Sequence, residues 1–397
     1  MRSSLFSLVF IGFLFISCGV KKETQDTRET LSYRVERAEE WTALFNRTQG
    51  WFGGDGIFAI PFSGVDNGRA APGDSILFLF SDTMVGEIDN GRLMPGSVMI
   101  NNSGMILHGE EPGNDRARFL VNSDNDGKPA TLFVPNTATT QAGDYYWLGD
   151  GFVNAAHDSS LCIFAYRIRN TNDNSVFPFR EVGNDLIVIP RGSKYPFSNH
   201  HQLQLPFSAG ADSLTTSFGV GVFANTEAAR VQDPDSFIYI YGVRGRSKQL
   251  VAARVKSDSL ENFTAWKFYY GNGTWSSGVE AALPIADSVS NELSVTQIDK
   301  GQYALIYQYA GLSPTIYMQI GSTPVGPFGP RQKVWNTNDD IKEADLFAYN
   351  AKAHPAISKP GELLVSYNVN SFKFMQQIEK IPNLYRPRFV RIVFHQK

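Results

Sequence analysis

The 397-residue sequence predicts an all-β fold: a β-propeller of five four-stranded antiparallel blades. Aromatic residues make up 13% of it, with 29 Phe and 16 Tyr, types that suit strands better than helices. Thirty-five Gly and 20 Pro cut the chain into short runs, and beyond Arg47 almost no helical periodicity is sustained. Residues 216–270 read as a four-strand meander (SFGVGVFA, FIYIYGVRG, KQLVAARVK, AWKFYYG), and 293–335 repeat the plan (LSVTQI, YALIYQYA, TIYMQI, QKVWN). A unit of roughly 45–55 residues is the size of a propeller blade, and the remaining chain divides into about five of them. The closing blade would join C-terminal strands to an N-terminal one. A β-sandwich fits the repeat less well.

Taken in order, the chain opens on Arg2, an apolar run from Leu5 to Ile16, and Ser17-Cys18-Gly19. This resembles a bacterial lipoprotein signal, with Cys18 the residue to be lipidated; an ordinary signal peptide or an uncleaved anchor are the alternatives. The run is short for a transmembrane helix. Residues 1–17 are therefore expected to be a signal peptide, 18–31 a polar tether, and 32–397 a single propeller domain. The expected location is the bacterial cell envelope, with the membrane as a partner through the lipid. Arg34 to Arg47 suits a short helix or an entry strand. Strand-like runs follow at Ile57–Phe62, Ile76–Ser81, Ser97–Leu107, Thr131–Val134, Tyr145–Leu148 and onward to Phe389–His395. Net charge is −3, which gives no electrostatic case for nucleic acid. Cys162 would have no intrachain partner once Cys18 carries lipid, and reads as a buried thiol. A monomer is expected.

The stretch richest in chemistry is Trp51 to Asp82. Asp55 lies in Gly53-Gly54-Asp55-Gly56, just before one apolar run, and Asp82 just after the next. If the two strands pair antiparallel, both carboxylates fall at one end of the sheet. In a propeller the first strand of each blade lines the central channel, so acids at those strands converge. Asp55 would open the first blade, Asp150 (YYWLGDG) the second, Glu292 the fourth and His354 the fifth. Around these are expected Asn101 and Asn102, Trp51, Trp147, Tyr349 and Asn368. Glycoside hydrolysis needs one carboxylic acid to protonate the leaving oxygen and a second carboxylate to activate water or attack the sugar. A further carboxylate nearby raises the acid's pKa by like-charge repulsion. Trp and Tyr offer flat faces to sugar rings, and Asn and His can bind hydroxyls.

Each residue also has a structural reading. Asp before Gly is a common turn residue, Glu292 can be a solvated loop acid, and His354 can simply be a satisfied core histidine. His200-His201 lacks acids at ligand spacing. Asn122 to Gly127 has the alternating acids of a calcium loop but not its closing Glu, so a polar turn is expected. No metal or cofactor is expected.

With these residues in view, GWFGGDGIFAIPF, LFLFSDTMVG, INNSG, YYWLGDG, YNAKAHPAIS and GELLVSYNVNS resemble a group of bacterial five-bladed propeller proteins classed as domains of unknown function. That group is similar to bacterial endo-D-arabinanases and, more distantly, to furanosidase propellers that cleave arabinan, xylan and fructan. The resemblance spans roughly Trp41 to Lys397, and implies glycoside hydrolysis of a polysaccharide or oligosaccharide by acidic catalysts. The arabinanase-like pattern puts the catalytic pair on Asp55 and Asp82. The more distant pattern keeps Asp55 as base and takes a later Glu, nearest to Glu292, as acid, with Asp150 tuning or binding. Ser81 stands where many relatives carry Gly. The competing expectations are a non-catalytic carbohydrate-binding propeller and a protein scaffold.

Overall fold

The computed structural model describes residues 31–171, 173, 177–207 and 215–395; the signal segment, Cys18 and most of the tether lie outside the described residues. Five antiparallel sheets hold most of the strand residues among the described residues. Sheet I contains Phe58–Pro61, Ser75–Phe80, Ser103–His108 and Ala117–Leu120. Sheet II contains Tyr145–Val153, Leu161–Asn170, Phe179–Ile189 and His201–Gln204. Sheet III is the meander Thr216–Asn225, Phe237–Arg244, Gln249–Lys256 and Lys267–Gly271, with Thr274–Ser276 added at its edge. Sheet IV runs Leu293–Asp299, Gln302–Gln308, Thr315–Gly321, Gln332–Asn336. Sheet V takes Leu346–Ala353, Glu362–Ser371 and Arg388–Phe394, then closes on Tyr33–Arg37 from the other end of the chain, Tyr33 opposite Phe394.

The first strands of sheets I to V lie beside one another in order, and the turn Pro355–Ile357 after the fifth returns to the first strand of sheet I. Apolar clusters fill the spaces between sheets: one spans sheets II to IV, one sheets I and II, and one sheets I and V with the helix Glu39–Leu44. A strand covered on both faces reads as an unbroken apolar run rather than an alternating one. Ile76 to Phe80 is such a run, and all five residues are 0% exposed.

Arg34 to Arg47 supplies both of the expected elements, the strand Tyr33–Arg37 and the helix Glu39–Leu44. Ser97–Leu107 is two strands, Val98–Ile100 and Ser103–His108, and Thr131–Val134 forms no strand. Leu132 and Phe133 are nonetheless buried; their apolar character reflects packing, not a ladder. The segment from Asn122 turns on Asp124, whose Oδ1 accepts from the backbone N–H of Asp126 and of Lys128, both at 2.9 Å. Among the described residues, no helix is long and apolar enough to cross a membrane.

The first strands of sheets II, III and V carry bulges, at Leu148–Gly151, Phe218–Gly221 and Tyr349–Lys352. An extra residue there re-aims side chains along the strand. Asp150 lies within the first of these bulges, at the sixth residue of sheet II's first strand and not at its start. His354 likewise follows the end of sheet V's first strand instead of opening it.

Candidate active site

Asp55 and Asp82 face each other across a break in a long antiparallel ladder. Gln49–Gly54 pairs with Thr83–Asp89, and Phe58–Pro61 pairs with Ser75–Phe80. Between the two ladders, the Ser81 N–H donates to the Asp55 carbonyl at 2.8 Å and the Asp55 N–H to the Asp82 carbonyl at 3.3 Å. The glycines around Asp55 are required by contact and conformation. A Cβ on Gly53 would lie 2.2 Å from the Tyr385 carbonyl oxygen, and Gly56 has φ +65°, a region open to glycine. Ser81 Oγ accepts from Leu148 N–H at 2.9 Å and donates to the Leu148 carbonyl at 3.2 Å. It thereby fastens this break to sheet II.

The break opens on a cavity of about 810 Å³ whose walls include Asp55, Asp82, Trp147, Glu181, Glu292, Tyr349 and Tyr385. The Tyr349 phenol donates to Asp55 Oδ2 at 2.6 Å. Burial raises the Asp55 carboxyl above its ordinary value, opposed in part by the phenols of Tyr349 and Tyr385 and by the Lys352 charge. Asp55 Oδ1 is buried without a hydrogen bond of normal geometry. Both phenols are themselves pushed well above their ordinary value by burial and by Asp55, so they act as donors. Asp82 Oδ1 accepts from the Trp147 indole at 2.9 Å and from the Asn101 amide at 3.5 Å. Burial first, and the Asp55 charge second, push Asp82 up to about 7. A carboxyl in that range is still partly protonated near neutral pH and can give up a proton.

Glu292 is held differently. Lys352 Nζ donates to Oε2, and the Asn350 amide donates to Oε1 at 2.8 Å. Burial lifts Glu292 to about 7, with Lys352 opposing and Asp55 adding. Oε2 is thus engaged in a buried ion pair and Oε1 in an amide hydrogen bond, and the Lys352 ammonium lies 4.2 Å from the Phe58 ring centroid.

The sequence-derived set therefore divides. Asp55, Asp82, Glu292, Trp147 and Tyr349 share the cavity. Trp51 does not: it is 2% exposed and packs against Phe80 and Phe119 at 4.9 and 4.7 Å, inside the core between sheet and helix. Asn102 is also internal, bonding the Phe133 and Tyr146 carbonyls and the Phe133 N–H. Asn368 is buried and donates to the Gly54 carbonyl at 3.0 Å, so it supports the Asp55 turn from behind. Asp150 and His354 line a second cavity of about 30 Å³, which shares no wall residue with the first. There Asp150 accepts from the Val222 and Gly151 N–H groups at 2.7 and 2.8 Å. His354 Nε2 lies 2.7 Å from Ser366 Oγ, and burial lowers its pKa well below the ordinary value. Neither residue lines the large cavity.

Sequence reasoning passed over Tyr385, Lys352, Asn350 and Glu181. Tyr385 lies in the loop before the last strand, where nothing local marks it. Lys352 and Asn350 belong to the YNAKAHP motif that drew attention to Tyr349 and His354, but the bulge at Tyr349–Lys352 breaks the alternation by which a regular strand would have marked them. Glu181 precedes an apolar run and reads as an ordinary surface acid.

A family model described as a domain of unknown function, DUF5005, matches residues 38–395. The chain belongs to the DUF5005 family. No curated protein matches it. Among solved structures, this DUF5005 protein is similar to a "putative hydrolase" from Bacteroides ovatus, with 20% identity over 92% of each chain and a TM-score of 0.69. At that identity the likeness is one of fold. Weaker similarities reach a thermostable family-43 glycoside hydrolase (13% identity, 87% of this chain and 90% of that one, TM-score 0.43). A GH43_1 enzyme from Xanthomonas citri stands at 12% identity, 88% and 89% coverage and TM-score 0.42. Among the described residues of the DUF5005 chain, no three His, Cys, Asp or Glu side chains are grouped so as to hold a metal ion. What the cavity wall does offer is two adjacent carboxyls in unequal surroundings.

Proposed function

We propose that this protein is a glycoside hydrolase that cleaves a polysaccharide or oligosaccharide outside the cytoplasm, with the five sheets serving as the blades of a five-bladed propeller. The observation that carries the proposal is the meeting of Asp55 and Asp82 at the break in the ladder, on the wall of a cavity of about 810 Å³. Asp55 is the base or nucleophile: burial raises its carboxyl, while the Tyr349 and Tyr385 phenols and the Lys352 charge stand where they stabilise its ionised form. Asp82 is the acid: burial and the Asp55 charge raise it to about 7, so it protonates the leaving oxygen as Asp55 activates water or attacks the sugar. Glu292, with both oxygens engaged by Lys352 and Asn350, orients groups in the cavity and is not the acid. An arabinan-type glycan is the favoured substrate class, supported by the sequence resemblance to endo-D-arabinanases. Cys18 carries a lipid that tethers the domain to the envelope, supported by the apolar run and Ser17-Cys18-Gly19.

The test is a screen of the purified protein against defined glycans, including arabinans of both enantiomeric series, followed by a comparison of Asp82→Asn with Glu292→Gln. The proposal requires Asp82→Asn to lose at least about 10²-fold in turnover and Glu292→Gln to retain a larger share. The reverse order transfers the acid to Glu292. Unchanged turnover in both removes the mechanism. For the anchor, Cys18→Ala should leave the membrane fraction; a variant that fractionates like the wild type would end that part of the proposal.

A further inference from the structure

Six aromatic rings form a connected series over the carboxylate pair. Trp147 meets Phe179 edge-on at 4.7 Å between centroids, Phe179 meets Phe177 at 5.9 Å, and Phe177 meets Phe372 at 6.2 Å. Phe372 then meets Phe347 at 4.6 Å, and Phe347 meets Tyr349 at 5.4 Å. The two ends of the series are the donors to the two acids: Trp147 bonds Asp82 and Tyr349 bonds Asp55. Trp147 and Phe179 belong to sheet II, while Phe347 and Tyr349 belong to sheet V and Phe372 directly follows its second strand. Sheets II and V flank sheet I, and all six rings line the large cavity. The series is thus an arch that springs from both flanks and meets above the acids. Its crown is solvent-facing rather than core, with Phe177 43% and Phe372 49% exposed.

The cavity wall also carries polar groups beyond the ring series, among apolar ones such as Val220 and Val243. Glu181 accepts from the Ser217 hydroxyl at 2.6 Å, and Lys248 donates to Asn291. A glycan laid across that wall meets hydroxyl-binding groups along its length. When it reaches Asp55 and Asp82, it also meets the arch, and a chain passing on over sheet I would have to go through touching rings. We infer that the arch makes this a chain-end site: one terminal sugar sits between the arch and the carboxylate pair, its apolar face against the rings, with the rest of the chain over the wall's polar groups. The terminal sugar is neutral. Asp55, Asp82, Glu181 and Glu292 outnumber Arg180 and Lys248 among the charged wall residues, and a uronate would meet like charge at the acids. This inference rests on the glycan reading above for its substrate class, but not on turnover, and it replaces internal cleavage with attack at an end.

The test uses linear arabino-oligosaccharides of graded length in both enantiomeric series, each also prepared with a bulky cap on one end or on the other. Binding is measured by calorimetry on the full chain carrying Asp55→Asn, and product sizes are measured on the wild type. The expected result is that a cap on one end, and only that end, weakens binding by at least about tenfold, or about 1.4 kcal/mol. In the same background, Phe177→Ala with Phe372→Ala should bring the capped chain to within a few-fold of the uncapped one. A merely structural loss would weaken both chains alike and overturn the inference. So would capped and uncapped chains binding equally to the intact arch, or no member of either series binding. The two proposals fail separately. End-dependent binding without release of sugar ends the hydrolase reading and keeps the chain-end site. Internal cleavage of a doubly capped chain ends the chain-end site and keeps the hydrolase.

Discussion

Replacing Asp82 with asparagine should make the folded protein more stable, and only above acidic pH. Asp82 is half-buried at the ladder break, and its pKa rises from 3.8 to about 7 through burial and the neighbouring Asp55 charge. Below its ordinary value the carboxyl is protonated in the folded and the unfolded chain alike, so it costs nothing. As pH rises, the unfolded chain releases its proton first, and the folded chain holds it until about 7. Folded stability is therefore lost across that window and levels off above it. At about 1.4 kcal/mol per pKa unit, the full shift is worth about 4 kcal/mol. Cavity water screens part of this, leaving about 1–3 kcal/mol as the expected gain. Asparagine keeps an oxygen for the Trp147 and Asn101 donors and carries no charge to desolvate. Urea denaturation of both proteins should give equal stabilities near pH 4 and a variant more stable by that amount at pH 8. A difference that stays constant with pH, or a variant weaker at pH 8, would refute the account of Asp82 as an acid held at energetic cost.

Lys352→Met strips a buried carboxylate of its cation, with the pair only 2% and 9% exposed. It should cost about 3–5 kcal/mol at pH 8, and less at pH 5, where Glu292 can take a proton; equal losses at both, by urea denaturation, would mean that the pair is not what Lys352 supplies. Gly53→Ala places a Cβ against the Tyr385 carbonyl and should lower stability by about 1–3 kcal/mol; a neutral result would show that this close approach is not needed. Trp51→Ala empties a core position and should cost about 3–5 kcal/mol while the surviving folded protein keeps its saccharide affinity. A specific loss of affinity there would return Trp51 to the site.

The sheets could be read from the sequence because strands covered on both faces are apolar throughout, as in Ile76 to Phe80, and because glycine and proline mark the turns. The return of the N-terminal strand Tyr33–Arg37 to sheet V followed from counting units. The Asp55–Asp82 pair was legible because Asp55 stands just before one short apolar run and Asp82 just after the next, in adjacent strands. What failed was orientation within motifs. Asn101 reaches Asp82 while Asn102, one residue on, bonds the Phe133 and Tyr146 backbone inside the core. Both lie in the bend between the strands Val98–Ile100 and Ser103–His108, where a motif alone does not say which residue faces the site. Trp51 and Trp147 look equivalent beside their GDG motifs, yet one packs in the core and the other bonds Asp82. Asp150 and His354 line the second cavity, Asp150 within a bulged stretch and His354 past the end of a bulged strand, and a bulge leaves little trace in a short apolar run. Tyr385 is set beside Asp55 by the chain's return from its far end, a contact that no local pattern encodes.

The most direct measurement is the turnover of Asp55→Asn on the first glycan found to be cleaved, set beside its affinity for the same glycan. Asparagine preserves the shape and hydrogen-bonding capacity of the side chain but cannot take a proton or attack a sugar. The account predicts a loss of at least about 10²-fold in turnover, with affinity kept within a few-fold and the fold intact. Turnover within a few-fold of the wild type in the folded variant would contradict it, and would leave the Asp55–Asp82 pair as a structural turn beside a carbohydrate-binding cavity.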